Sequence, residues 1–483
     1  MPAQLSRRNV LAAAGGVAAA GLGGPAAAAA GAAAPGAGRR RPNIVLYLTD
    51  DLGYGEAGCF GNSIIRTPHL DRMAEEGVRF TQYYAGAPVC APSRATLLTG
   101  LHTGHAPVRA NPDPGEPDAP LGEGDVTVAD VLRGAGYRTG LFGKWGFCPD
   151  VPDHPGHPNR QGFERFFGQA THAAAHDYYP PYLWSDHERY AVPGNADGAA
   201  HTYAPDLVLR EALHFIERHR DDPFLCVVSS QLPHSPQEIP RTDPVYEDDP
   251  RLSPAARRHC SQVGYADRQV GALLGRLEEL GLDDDTVVLF ASDNGPTEEE
   301  ALDPHSYGAG GGLRGYKRNL FEGGIRVPLI VRAPGRVHRT GSTSDQVVAS
   351  WDLLPTLAAL AGAGSEVPDG LDGVAMPRQL LGARRAAAHR PLYFYRNDPY
   401  TTPGQAQEDG PFARSAAEAV RVGDWKAVRF SPDRGRDHPD EDWHFALYDL
   451  ARDPAETTDV AGRHPRQAAH LLATMKSEWR DPR

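Results

Sequence analysis

The chain has 483 residues, 40% of them hydrophobic and 23% charged, and carries a formal net charge of −13. That length allows a large core and more than one domain, and the spread of aliphatic and aromatic residues beyond the N-terminal leader excludes a disordered chain. Such acidity excludes the basic footprint of a nucleic-acid-binding protein, and it obliges any anion site to gather its own local positive charge.

In chain order, the first feature is Ser6-Arg7-Arg8-Asn9-Val10-Leu11, followed by a long run of Ala and Gly that ends at Arg39-Arg40-Arg41. Charged, weakly apolar and small-residue regions in that order read as a signal peptide over residues 1–38, with cleavage within Ala26–Gly38. The adjacent arginines resemble a twin-arginine export signal. The expectation is an exported protein, secreted, periplasmic or in the cell envelope. No later stretch of about 20 apolar residues suggests a membrane span once the signal is removed. Five cysteines, Cys59, Cys90, Cys148, Cys226 and Cys260, leave at least one unpaired.

Asn43–Thr49 is a short continuous apolar run and reads as a buried parallel strand. It ends on Asp50-Asp51 and a glycine-rich turn. Thr67, Pro68 and Asp71 give the cap, first-turn proline and first-turn acid of a helix. Helices are expected at Val128–Ala135, Leu207–Arg218 and Pro254–Leu280, each followed by a strand: Arg138–Phe142, Phe224–Ser229 and Thr286–Ala291. This alternation predicts an α/β fold, a large mostly parallel sheet sandwiched by helices. After about residue 375 the texture changes to short strand-like pieces, Pro391–Tyr395, Ala419–Val422, Trp425–Phe430 and Phe445–Leu450, and a final helix, His464–Trp479. The expected division is a catalytic domain over 39–375 and a smaller antiparallel sheet with a helix over 376–483.

Three strand ends carry chemistry. Asp50-Asp51 sets two adjacent carboxylates at a sheet edge, a hard oxygen-donor pair suited to Ca²⁺ or Mg²⁺; a solvated acidic turn would read the same. Thr286–Ala291 runs into Ser292-Asp293-Asn294-Gly295 and repeats the arrangement. In Cys90-Ala91-Pro92-Ser93-Arg94, Pro92 is followed by good helix formers, which places Cys90 just before a helix N-terminus, where free N–H groups favour an anion. These residues alone leave open a thiolate nucleophile, an anion-binding turn or a buried loop cysteine.

The longer run Cys90-Ala91-Pro92-Ser93-Arg94-Ala95-Thr96-Leu97-Leu98-Thr99-Gly100 resembles the signature of the type I sulfatases, formylglycine-dependent members of the alkaline-phosphatase-like superfamily. The resemblance runs from Asn43 to about Gly362, with a looser match at Leu447-Tyr448-Asp449-Leu450. It implies a sulfuric ester hydrolase in which a separate formylglycine-generating enzyme oxidises Cys90. It also implies a divalent cation, Ca²⁺ more than Mg²⁺, on Asp50, Asp51, Asp293, Asn294 and the modified residue 90. Gly143-Lys144-Trp145, Pro233-His234-Ser235-Pro236 and Leu313-Arg314-Gly315-Tyr316-Lys317 match the family segments that carry a substrate-binding lysine, an active-site histidine and a second lysine. Cys90, Arg94, Lys144, His234 and Lys317 are therefore the expected catalytic residues.

One position departs from the pattern: many members read Gly-Lys-Trp-His, and this chain has Gly146 where that histidine acts on the formylglycine hydroxyl. His172 and His176, four apart and on one face if that stretch is helical, are the candidates to bind substrate in its place; His102 and His105 are alternatives. The aromatic run Tyr178–Trp184 suits stacking on sugar rings or packing, and the expected substrate is a sulfated carbohydrate or small molecule. The competing expectations are a phosphomonoester or phosphonate hydrolase of the same superfamily, and a non-catalytic sulfated-glycan-binding protein.

Overall fold

The computed structural model describes residues 40–384 and 390–481, so the expected signal segment lies outside the described residues. The chain from Arg40 onward packs as one unit. Its larger sheet has eleven strands. They are β1 Asn43–Thr49, β2 Val78–Tyr84, β3 Arg138–Lys144, β4 Arg165–Gln169, β5 Tyr182–Ser185, β6 Glu188–Ala191, β7 Phe224–Ser229, β8 Thr286–Ser292, β9 Arg326–Arg332, β10 Ser342–Ser344 and β11 Val348–Ala349. The order is β10-β2-β9-β8-β1-β7-β3-β4-β5-β6, with β11 beside β2.

The central strands β8, β1, β7, β3 and β4 are all parallel. The flanks are not: β9 runs antiparallel to both β8 and β2, and β5 runs antiparallel to β4. The antiparallel flanks were invisible to the sequence because a strand buried on both faces shows the same apolar run in either direction.

β1 shows how the layers arise. Ile44, Leu46 and Leu48 point into one apolar core, together with Ala91, Ala95, Leu97 and Leu98 of helix Cys90–Thr99 and with Leu353, Leu354 and Leu357 of helix Leu353–Ala361. Val45 and Tyr47 point into the other, against helices Pro68–Glu76, Ala204–Arg218 and Pro254–Glu279. Period-two alternation with both faces apolar thus produces helices on both sides of the sheet.

The second sheet has four antiparallel strands in chain order, β12 Leu392–Arg396, β13 Ala417–Val422, β14 Trp425–Phe430 and β15 His444–Asp449. Helix Pro465–Ser477 covers it through Leu471 and Met475. The opposite face packs Phe394, Ala419 and Val428 against Tyr84, Phe321 and Trp351. A charged cluster joins the same two regions: Lys426 Nζ sits 3.0 Å from both Glu322 and Glu456, all three fully buried. Among the described residues no helix is long and apolar enough to cross a membrane, and all five cysteines are free.

Candidate active site

Parallel strands end at one sheet edge, and here four of them deliver polar groups to it. Register does the assembly. Thr49 pairs with Ser292, so Asp50 and Asp51 leave β1 beside Asp293 and Asn294 leaving β8. Leu48 pairs with Ser229, which starts the β7 exit toward His234, and Gly143 pairs with Ser229 on the other side. A Cβ at Gly143 would lie 2.1 Å from the Ser229 carbonyl oxygen. Only glycine allows the approach that sets Lys144 over the edge.

Helix Cys90–Thr99 begins at Cys90 itself and is buried along its whole length. It closes the floor of the site and brings in Arg94.

The result is a buried constellation of three carboxylates and three cations. Lys144 Nζ donates to Asp50 Oδ2 at 2.6 Å, Lys317 Nζ to Asp51 Oδ2 at 2.8 Å and Arg94 Nε to Asp293 Oδ2 at 2.7 Å. Arg94 Nη1 also donates to the Ser229 hydroxyl. Asn294 Nδ2 donates to Asp51 Oδ1 at 2.7 Å, and the Asp51 amide donates to Asp293 Oδ1 at 3.1 Å. Ligand-type atoms of Asp50, Asp51, Cys90 and His234 all lie within 4.8 Å of one another.

Burial and neighbours set the charge states. Burial raises the Asp50 carboxyl, but Lys144, His234, Arg94 and Lys317 outweigh it and hold the group well below the usual carboxylate range. Asp293 is pushed up to about 7 by burial and by Asp50, against the pull of Arg94. Burial pushes the Cys90 thiol up to about 12, despite Lys144. As an unmodified thiol, residue 90 therefore stays protonated near neutrality and is a poor nucleophile.

Burial and then Lys317 lower the imidazole of His234, with Asp51 opposing. Lysine can only donate, so His234 Nε2 accepts from Lys317 Nζ at 3.0 Å. The remaining proton then sits on Nδ1, which donates to the Ser235 carbonyl. Lys317 and His234 thus form one hydrogen-bonded pair at the mouth of the site.

The donor set suits a hard divalent cation. Asp50 Oδ1 and Asn294 Oδ1 are buried oxygens with no hydrogen-bond partner. Two orphan acceptors beside further carboxylate oxygens are what an oxygen-coordinated ion satisfies.

The structure gathers Asp50, Asp51, Cys90, Arg94, Lys144, His234, Asp293, Asn294 and Lys317 in this site. His172 and His176 belong to it as well, although the helix imagined for them is only a 3-10 turn, Ala174–His176. Their rings meet edge to face at 4.9 Å, and His176 stacks on His234 at 4.1 Å with 8° between planes. His172 Nδ1 and His176 Nε2 are buried without hydrogen-bond partners. Burial, with Lys144 for His172 and His234 for His176, keeps both imidazoles neutral. A Cβ on Gly146, whose φ is +84°, would meet His172 at 3.8 Å, so His172 flanks the space above this glycine.

His102 and His105 are elsewhere. They stack on each other at 4.4 Å and pair with Asp372, and His102 also with Glu478. They belong to that separate cluster around Asp372 and are not among the side chains gathered with Cys90 at the sheet edge. The aromatic run packs rather than presenting faces: Tyr178 is fully buried with its hydroxyl on the Gln231 and His234 carbonyls, and Tyr182 and Trp184 bond Asp150.

Sequence reasoning missed Ser229, Glu299, Arg318, Asp398 and Tyr400. Glu299 accepts from Arg318 Nη2 at 2.6 Å and lies 3.4 Å from Lys317 Nζ. Ser229 closes the apolar strand β7, whose pattern does not mark it out, and the others sit on loops or short turns with no period to flag them; the charged runs Glu298-Glu299-Glu300 and Lys317-Arg318 were the available signal.

Buried carboxylates and cations converging at a parallel sheet edge suit a metal-assisted hydrolase of esters of tetrahedral acids. The comparisons specify which. The Sulfatase family model matches residues 42–363, and the model for the C-terminal region of N-sulphoglucosamine sulphohydrolase matches 314–482. Human arylsulfatase A is 33% identical over 90% of this chain and 87% of its own length. Human N-acetylgalactosamine-6-sulfatase is 34% identical over 74% of this chain and 69% of its own. The solved structure of Ps i-CgsB in complex with k-i-k-neocarrahexaose shares the fold, with a TM-score of 0.73 at 24% identity over 92% of this chain and 94% of that one. The chain belongs to the sulfatase family, within the alkaline-phosphatase-like superfamily, and is a sulfuric ester hydrolase.

Proposed function

We propose that this sulfatase is exported through its N-terminal leader and cleaves sulfate monoesters of carbohydrates. It uses a formylglycine that a separate maturation enzyme makes from Cys90, and a divalent cation, Ca²⁺ in preference to Mg²⁺. The observation that carries the reading is the state of residue 90. It sits among three buried cations at the end of a parallel sheet, yet as a thiol it is held protonated by burial, a poor nucleophile in a site built for an anion. The carbohydrate preference draws on relatives named N-acetylgalactosamine-6-sulfatase and on the solved complex with k-i-k-neocarrahexaose.

Asp50, Asp51, Asp293 and Asn294, with the modified residue 90, would hold the cation, which supplies Lewis acidity and a template for the sulfate. Formylglycine supplies, as its hydrate, a nucleophilic hydroxyl and a second hydroxyl through which sulfate can later be expelled. The chain's own residues do the rest. Arg94 and Lys144 present buried positive charge to the sulfuryl oxygens, the preorganised electrostatics that usually dominate such catalysis. Asp293, held near 7, is placed to take the proton of the attacking hydroxyl. Lys317 and His234 act as a pair that delivers a proton to the departing alcohol. His172 and His176 form the neutral wall against which the sulfated group is seated, and His172 is the nearer stand-in for the histidine replaced by Gly146.

The test compares 4-nitrophenyl sulfate with 4-nitrophenyl phosphate and a phosphonate monoester, before and after chelation and on return of Ca²⁺ or Mg²⁺. Sulfate turnover that is lost on chelation and best restored by Ca²⁺ is expected. Faster phosphate or phosphonate turnover would overturn the assignment in favour of the superfamily's phosphorus chemistry.

A further inference from the structure

Above the buried constellation lies a cavity of about 450 Å³ reached past His176, His234 and Lys317. Its far wall comes from the residue after Lys317 and from the C-terminal region. Arg318 lines it at 6% exposure, with a backbone φ of +79° that a side-chain-bearing residue rarely adopts. The fixed guanidinium spends Nη2 on Glu299 at 2.6 Å and Nε on Asp398 Oδ1 at 3.2 Å. Its Nη1 has no partner, and neither has Asp398 Oδ2, although Asp398 is only 3% exposed. A buried donor left unused on a residue that lines the cavity is costly unless a ligand fills it. Beside them Tyr400 lines the same cavity, 46% exposed, its ring 5.9 Å from the Arg318 guanidinium. Asp398 fixes the guanidinium from outside the cavity lining, and within the cavity a donor on Arg318 beside an exposed aromatic ring is what a ring bearing hydroxyl groups takes.

The charge of the wall narrows the choice. Glu116, Asp118 and Glu300 line the cavity and have no ion-pair partner among the described residues. The cavity's two cations, Lys317 and Arg318, are already engaged by Asp51, Glu299 and Asp398. A second sulfate or a carboxylate on the substrate would meet like charge here.

We propose that Arg318, held in place by Asp398, and Tyr400 form a leaving-group subsite for a hydroxylated ring, so that the substrate class is a carbohydrate carrying one sulfate and otherwise uncharged. The proposal rests on the sulfatase reading above and specifies what lies beyond the sulfate.

The test measures kcat/KM of the mature enzyme on 4-nitrophenyl sulfate, on a set of singly sulfated neutral hexoses and on a trisulfated heparin-derived disaccharide. At least one singly sulfated hexose is expected to exceed the trisulfated disaccharide about tenfold or more. In Tyr400→Ala and Asp398→Asn, the ratio of hexose sulfate to 4-nitrophenyl sulfate is expected to fall about tenfold. Tyr400 is exposed, so its replacement does not threaten the fold. Trisulfated disaccharide turned over as well as the neutral sugars, or a ratio unmoved in both variants, would overturn the subsite while leaving the sulfatase reading intact. Absence of turnover on every sulfate monoester by the wild type would overturn the sulfatase reading and this one with it.

Discussion

Replacing Lys317 by Met tests the electrostatic core of the site. The ammonium is 3% exposed and lies 2.8 Å from Asp51, 3.4 Å from Glu299 and 3.0 Å from His234. At an effective dielectric constant of about 20, one such pair at 2.8 Å is worth about 6 kcal/mol of direct attraction. Removing one partner of a buried pair costs about 3–5 kcal/mol, because the other charge is left behind. Loss of one preorganised group at the reacting centre costs about 100- to 1,000-fold in kcat. Lys317→Met is therefore expected to lower both kcat and thermal stability, while Lys317→Arg, which keeps the charge but not the geometry, recovers the stability and little of the rate. The assay is steady-state turnover of 4-nitrophenyl sulfate beside thermal melts of the three proteins. A Met variant that keeps kcat within about threefold would refute the placement of Lys317 at the departing oxygen.

His176→Ala removes the ring stacked on His234 at 4.1 Å; such a pair is worth about 0.5–1.5 kcal/mol, so the melting temperature should fall by a few degrees, and KM for sulfate esters should rise because the wall of the site is lost. Asn294→Ala deletes one of the two orphan oxygens and should weaken the divalent ion, raising the Ca²⁺ concentration needed for half-maximal protection against thermal melting; an unchanged requirement would remove Asn294 from the ligand set. Glu456 has its carboxyl pushed up to about 7 by burial and by Glu322, against Lys426. Because that folded value lies above the unfolded 4.5, the folded state binds the proton more tightly: the contribution is fully present below pH 4.5 and is lost as pH rises through 7. Glu456→Gln should therefore gain on the wild type by about 1–3 kcal/mol between about pH 5 and about pH 8 in denaturant titrations; a constant difference would contradict it.

Much of the site was legible because parallel strands announce their ends. Apolar runs stopping at Asp50-Asp51, Lys144 and Asp293-Asn294 share one edge once the strands are parallel, and the register of β1 with β8 then sets the two acidic pairs side by side. The helix starting at Cys90 was equally plain from Pro92 and the residues after it. The antiparallel course of β9 was not, since Arg326–Arg332 is an apolar run that suits either direction. The contact between His172 and His176 arises from a tight turn and not from helical spacing. Arg318, Asp398 and Tyr400 escaped for another reason. Their meeting depends on how the region after residue 390 packs over the sheet edge, and no local pattern encodes an ion pair spanning 80 residues.

The most direct test of the central claim is peptide mass spectrometry of residue 90 in protein purified from its native host, paired with turnover of 4-nitrophenyl sulfate by the same sample. The account predicts a mass loss at Cys90 matching thiol-to-aldehyde conversion and repeated turnover, with neither seen in Cys90→Ser or in protein made without a maturation enzyme. Sustained turnover by a sample whose Cys90 is wholly an unmodified thiol would contradict it.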